Sequence, residues 1–262
     1  VAFTPFIVAL AVILPIGSTL PWKRAKRAHL SRLWPVAVFC LACVGLTWAM
    51  QTGRSLIGPV GLGLGVWLVI GVLIELYQRT GRGMGKWRRL LRLPLADWGK
   101  ATAHAGLGIT IFGVAGITAW QAEDIRVMAV GDSAEIAGFT LTLDNVEELR
   151  GPNYLTTMAD IKLARDGKFI ANLHPERRYY PVAEMPTTEA GIDSGIWRDV
   201  YVVVGDAQPE GGYAVRTFIK PLANWIWTGA IIMAMGGLLS LFDRRYRIGS
   251  VTARRDPVEG DA

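Results

Sequence analysis

His104 is the side chain in this sequence with the most chemistry open to it. It lies in residues 100–120, KATAHAGLGITIFGVAGITAW, a Gly- and Ala-rich apolar run with no other ionisable group after Lys100. An ionisable side chain inside a membrane helix is costly and marks a functional site by default. An imidazole has three uses there: axial ligand of a haem iron, hydrogen bond to a neighbouring helix, or proton relay. The residues alone leave all three open. Four residues past Lys100, His104 stands ~6 Å along a helix that rises 1.5 Å per residue. Its neighbours at one-turn spacing are Leu107, Gly108, Ile111 and Ala115, and Ala103, Ala105 and Gly106 flank it. Such small residues let a flat cofactor, or another helix, lie against the backbone.

The other reactive residue types carry less. His29 sits among arginines and reads as a solvated loop histidine, and His174 precedes a proline and reads as a surface one. Cys40 and Cys43 form a C-x-x-C inside an apolar block, where free cysteine acts as a small hydrophobe. Glu75, near the end of an apolar run, reads as an interfacial carboxylate that snorkels to the headgroups rather than a proton carrier. Asp193, Arg198 and Asp199 read as turn and salt-bridge residues. No H-E-x-x-H, G-x-S-x-G, Walker loop or Cys/His metal cluster is present, so no catalytic residue is assigned and no self-contained hydrolase or NTPase is indicated.

The elements that must position His104 follow from hydropathy. The 262 residues are 51% hydrophobic, with 30 glycines and 10 tryptophans, and the apolar residues fall in blocks. The formal charge of +6 is concentrated in short loops between those blocks, which is the positive-inside pattern of membrane proteins and not a nucleic-acid-binding face. Helices are expected over residues 3–20, 36–50, 60–77, 101–120 and 221–242. Basic loops follow the first helix (Lys23, Arg24, Lys26, Arg27, Arg32) and the third (Arg79, Arg82, Lys86, Arg88, Arg89, Arg92). The loop after the second helix carries only Arg54, and Arg244, Arg245 and Arg247 follow the fifth helix. Residues 85–95 form an expected interfacial helix, and Trp98 and Trp120 bracket the fourth span. Five spans place Val1 and the segment after Trp120 outside, and the C-terminus in the cytoplasm. Nothing like a cleavable signal follows the first block, and the chain opens on Val1, so it reads as a piece of a longer protein or a processed product.

Between residues 121 and 220 long apolar runs give way to alternation. Strands are expected at residues 125–130, 134–137, 139–147, 154–165, 168–180, 196–204 and 213–218, with Asp166-Gly167 as a hairpin turn. The expected fold is an α-helical integral membrane protein of five transmembrane helices with an inserted periplasmic all-β domain, a sandwich or small barrel. Its divisions are residues 1–120, 121–220, 221–247 and a disordered tail, 248–262.

Several stretches in order carry a family resemblance: AHAGLGITIFGVAGI around His104, HPERRYYP (174–181), TEAGID (188–193), RDVYVVVG (198–205) and KPLANWIWTGAIIMAMGGLLSLFDRRYR (220–247). Together they resemble the C-terminal part of CcmF, the haem lyase subunit of the bacterial cytochrome c maturation system. The resemblance implies an inner-membrane protein that takes haem from the chaperone CcmE and attaches it to the CXXCH cysteines of apocytochrome c, with CcmH as partner. It also implies a b-type haem held between two transmembrane histidines. His104 matches the second of these by its A-H-x-G setting, which makes it the expected axial ligand of the haem iron. That haem is implied to serve reduction, with quinol as donor. The sequence departs from the family in lacking a WWD-type segment, the two periplasmic haem-binding histidines and a second transmembrane histidine; His29 and His174 match none of them. The second ligand is therefore expected outside this chain, in the remaining N-terminal part of CcmF. The competing readings are a non-enzymatic membrane scaffold that docks partners through its β domain, and a small transporter, for which no broken-helix pair is visible.

Overall fold

The computed structural model describes residues 3–20, 31, 33–53, 55–81 and 85–243. His29, the basic residues of the first loop, Arg54, Arg82, the three arginines after residue 243 and the tail lie outside the described residues. Six helices are described: α1 (Thr4–Thr19), α2 (Trp34–Met50), α3 (Ile57–Arg79), α4 (Lys86–Leu91), α5 (Leu95–Trp120) and α6 (Ala223–Leu241). Of these, α3, α5 and α6 are long and apolar enough to cross a membrane, while α1 and α2 are shorter apolar helices. The short α4 lies within residues 85–95, where an interfacial helix is expected. Helix α5 begins six residues earlier than expected, because Pro94 fixes an extended entry and Asp97 places an acidic side chain in the positive first turn.

Helix α3 is the hub. Gly71 lies against Pro15 of α1, Gly63 against Val44 of α2, and Gly65 against Gly108 and Phe112 of α5. The Trp67 indole donates to Val12 O at 3.2 Å, tying α1 to α3. On its other side α5 meets α6, antiparallel, along glycines spaced by seven: Gly99 faces Gly236, and Gly106 faces Gly229. A seven-residue repeat of small residues keeps one narrow stripe in register with its neighbour and lets backbones touch. Indole hydrogen bonds fasten both ends of α5, from Trp98 to Leu90 O at 3.3 Å and from Trp120 to Met50 O at 3.1 Å.

From Trp120 the chain passes directly into a β-sandwich of ten strands: β1 (Ala122–Met128), β2 (Ser133–Ile136), β3 (Phe139–Arg150), β4 (Leu155–Arg165), β5 (Lys168–Leu173), β6 (Glu176–Tyr180), β7 (Met185–Glu189), β8 (Gly191–Ser194), β9 (Arg198–Ala207) and β10 (Tyr213–Pro221). One sheet has the order β1-β10-β9-β8; the other runs β2-β3-β4-β6-β7, with β5 also on β4. Every described pairing is antiparallel. Alternation decides the core: Val200, Val202, Val204 and Val215 of the first sheet meet Leu141, Leu143, Ile161 and Leu163 of the second, all fully buried. The expected Asp166-Gly167 turn is formed, with φ of 50° and 73° at the two residues, as a type I′ hairpin requires.

The expected strand 168–180 is interrupted at His174-Pro175, since proline has no N–H for the ladder. Its register on β4 nevertheless continues, as Ala159 N donates to Pro175 O at 3.0 Å. This places His174 opposite Asp160, its Nδ1 2.5 Å from Oδ1, on an exposed surface as expected. Strands β7 and β8 were not expected, because MPTTE and GIDS show no apolar alternation; their partners impose the strand.

Within β6, Glu176 accepts from Arg178 Nε at 2.8 Å and from the Thr156 hydroxyl at 3.1 Å. The Arg178 hydrogen bond, then that of Thr156, holds the Glu176 carboxyl below the ordinary glutamate value against the opposing effect of burial, and the same pair raises the Arg178 guanidinium. A depressed folded-state value stabilises above the unfolded glutamate value, and that stability is lost as pH falls through the folded one. Amide exchange in β4 and β6 should therefore accelerate as pH falls from roughly 5 to 3, after correction for intrinsic exchange rates, and Glu176→Gln should flatten that dependence. An unchanged slope in the variant would remove Glu176 from the account.

Candidate functional site

His104 sits in the third turn of α5, where the seam with α3 and the seam with α6 both run close by. It is half-buried, and it has no hydrogen-bond partner among the described residues. Its charged neighbours are Glu75 of α3 and Lys100, one turn earlier on α5. The residues that continue its stripe, Leu107, Ile111 and Ala115, line an apolar groove of about 520 Å3 that α1 and α3 complete with Ile7, Val60 and Leu64.

The small residues around His104 serve helix packing. A Cβ on Gly106 would lie 2.6 Å from Gly229 O, and one on Gly108 would lie 2.9 Å from Gly65 O. Of the two uses expected for them, the close approach of another helix is the one realised. Space for a flat group lies instead along the Leu107–Ile111 side of the stripe, toward α1.

Glu75 is not the snorkelling carboxylate expected from its place near a helix end. It is 3% exposed and is bound by Lys100 Nζ and, at 3.0 Å, by Arg79 Nη2. Arg79 Nη1 also reaches Asp97 Oδ1 at 2.6 Å. Two acids and two bases thus close the α3–α5 seam on the side of His104 away from the sandwich. Glu75 Oε2 is buried with no hydrogen-bond partner. The pair Glu75–Lys100 spans 25 residues, so no local pattern points to it; the i,i+4 spacing of Glu75 and Arg79 was the one signal in the sequence.

Elsewhere the expectations from sequence are met in kind. Asp193 pairs with Arg198, and Asp199 Oδ1 accepts from Gly195 N at 3.2 Å and Asn224 Nδ2 at 3.0 Å, as turn and salt-bridge residues do. Cys40 packs into a cluster with Leu33 and Trp67, and Cys43 is half-buried. Among the described residues no group of three or more His, Cys, Asp or Glu side chains could hold a metal ion. A haem accepts one protein ligand per axial face. An imidazole with no hydrogen bond among the described residues, about one turn from the Leu107 end of an apolar groove that it does not itself line, fits one such face and no more.

Three apolar helices of spanning length joined to a β-sandwich fit an integral membrane protein, and proteins of cytochrome c-type biogenesis are similar to this chain. Residues 119–221 match the family described as the CcmF C-terminal beta-sandwich. Along 98% of its length the chain is 55% identical to the cytochrome c-type biogenesis protein ccl1 of Rhodobacter capsulatus, of which it covers 39%. It is 36% identical to the cytochrome c-type biogenesis protein CcmF of Escherichia coli, over 94% of this chain and 37% of that protein. A solved structure of the cytochrome c heme lyase CcmF shares its fold, with a TM-score of 0.71 over 92% of this chain and 39% of that one, at 18% identity. The chain resembles the C-terminal part of the CcmF proteins; it spans about two fifths of the length of the curated relatives it matches.

Proposed function

We propose that this chain is a component of a haem lyase for cytochrome c maturation, and that His104 supplies one axial ligand to a b-type haem in the membrane. The observation that carries the reading is the state of His104: a half-buried imidazole on a helix of spanning length, bonded to no other described side chain. The helix–helix hydrogen bond that would otherwise explain it has no partner among the described residues. Bound there, a haem supplies one-electron chemistry. The chain's own part is to present the imidazole from a helix clamped on two sides, to offer an apolar wall through Leu107, Ile111 and Ala115, and to exclude water from the groove. The second axial ligand comes from outside this chain, in the remaining N-terminal part of a CcmF protein. CcmE, CcmH and apocytochrome c are the partners of the complete machinery, and the electron donor is a quinol.

The proposed topology has five spans in a bacterial inner membrane, with the sandwich in the periplasm and the C-terminus in the cytoplasm. Helices α1 and α2, with 16 and 17 residues, are short for a ~30 Å core. Local thinning of the bilayer accommodates such a mismatch at a modest cost. A reporter enzyme inserted within residues 205–212 should read as periplasmic; a cytoplasmic signal would overturn the span count.

A second reading, a scaffold that docks partners, is favoured by the mouth of the sandwich. There the inward-facing positions turn polar, and Leu155, Arg177, Tyr179, Asp206 and Tyr213 line an open cleft of about 560 Å3. Maturation separates the two readings. In a strain lacking its own CcmF, the intact protein with His104→Ala should leave c-type cytochromes without covalent haem, while accumulating in the membrane. Normal haem staining would favour the scaffold.

A further inference from the structure

The β8–β9 loop, Gly195-Ile196-Trp197, belongs to the sandwich by sequence, yet it packs on the first turn of α6, alongside α5 rather than beyond its end. The level at which the helices end is marked on three sides. Trp120 closes α5 and donates to Met50 O at the end of α2; Thr52 N donates to Ala119 O at 3.1 Å; and Gly58 at the start of α3 abuts Ala119. The loop and the first turns of α6 lie below that level. The Trp225 ring is 5.7 Å from Phe112, which at 1.5 Å per residue is ~12 Å down α5 from Trp120. Ser194, Gly195 and Ile196 share an open groove of about 530 Å3 with Trp227, Ile231 and Ile109. Ile109 is ~16 Å below Trp120 by the same rise per residue.

The loop is built for that depth. Its three carbonyls are all satisfied by the first turn of α6: Gly195 O by Asn224 Nδ2 at 2.9 Å, Ile196 O by the Trp225 indole at 2.8 Å, and Trp197 O by Leu222 N at 2.9 Å. Non-helical backbone survives at membrane depth only when its polar groups find such partners. Leu222 takes a left-handed conformation, φ 60°, to turn its N–H toward the loop. The side chains do the opposite of the backbone. Ile196 and Trp197 are 71% and 67% exposed, and they continue the exposed apolar stripe of α6, Trp227 and Ile231, at 70% and 61%. Trp197 and Trp225 hold each other with ring centroids 5.7 Å apart.

From this we infer that the β8–β9 loop is a wedge that the sandwich inserts into the adjacent leaflet, where Ile196 and Trp197 contact lipid acyl chains. The partner is lipid because the loop's apolar surface is continuous with the free face of a helix of spanning length. The wedge would add a third point of attachment beside the direct α5–β1 and β10–α6 connections, and so hold the sandwich at a fixed height and tilt on the membrane. It rests on the membrane reading proposed above.

The test is spin-label accessibility in the intact protein, reconstituted in phospholipid nanodiscs, with Cys40→Ala and Cys43→Ala as background. Labels are placed by Ile196→Cys and, as a reference on the helix, by Ile231→Cys. A lipid-inserted wedge gives high collision with oxygen and low collision with a water-soluble nickel chelate at both sites. A label at 196 shielded from both reagents means a protein partner covers the loop, and one open to nickel means it faces water; either overturns the wedge while 231 still reports lipid. If 231 itself reports water, the membrane reading fails first and the wedge with it. As a check free of cysteine variants, acyl-brominated lipid should quench the wild-type protein more than Trp197→Phe; equal quenching would also overturn the proposal.

Discussion

His104→Ala should abolish the b-type haem spectrum of the intact protein while leaving its fold in place. The fold survives because no described residue depends on the imidazole: it donates and accepts no hydrogen bond there, and the α5 seams run through Gly99, Gly106 and Gly113 on one side and Gly108 on the other. The haem does not survive, because one axial bond is removed and no other histidine of this chain lies in a described helix to replace it. Loss of an outer-shell partner of a metal ligand already costs about 10–100-fold in affinity, so loss of the ligand itself should cost at least that. Haem per protein, read from the reduced Soret and α bands, should fall by more than about tenfold, with unchanged elution on size exclusion. Full retention of the bands would leave His104 as a packing residue.

Gly106→Leu should be the most damaging single change to the helical part. A Cβ at this position meets Gly229 O and Met233 N, each at 2.6 Å, so the obstruction is backbone and cannot rotate away. Overpacking of this kind costs typically 1–3 kcal/mol and more where backbone must move, which puts the variant at or above about 3 kcal/mol. Among the described helices, the long contact of α6 is with α5. The expected result is a lowered unfolding midpoint in detergent and poor accumulation, with the sandwich core intact. Gly237→Leu is the matched control, because nothing lies within 4 Å of its added Cβ. If both variants behave like wild type, the glycine seam is not what holds α6.

Much of this architecture can be read from the sequence, for identifiable reasons. Helices show up because their apolar blocks are long, and the central strands because Val200, Val202 and Val204 alternate with outward residues. Strands β7 and β8 escape notice because pairing, not composition, makes them strands. The seven-residue glycine spacing of α5 and α6 was present in the sequence and could have predicted their seam. The site divides the same way. His104 stands out because a histidine is rare in an apolar run, whereas the burial of Glu75 against Lys100 depends on how α3 crosses α5. That His104 has no hydrogen-bond partner among the described residues is a property of the packed helices alone, and it counts against the helix–helix bond as its use within this chain.

The most direct test of the central claim is chemical rescue of the axial bond. His104→Gly leaves a cavity where the imidazole stood, and free imidazole added to the purified, intact protein can fill it. The account predicts that the variant loses the low-spin b-type spectrum, and that imidazole restores it together with bound haem. A variant whose spectrum is unchanged before imidazole is added would contradict the assignment of His104 as a haem ligand.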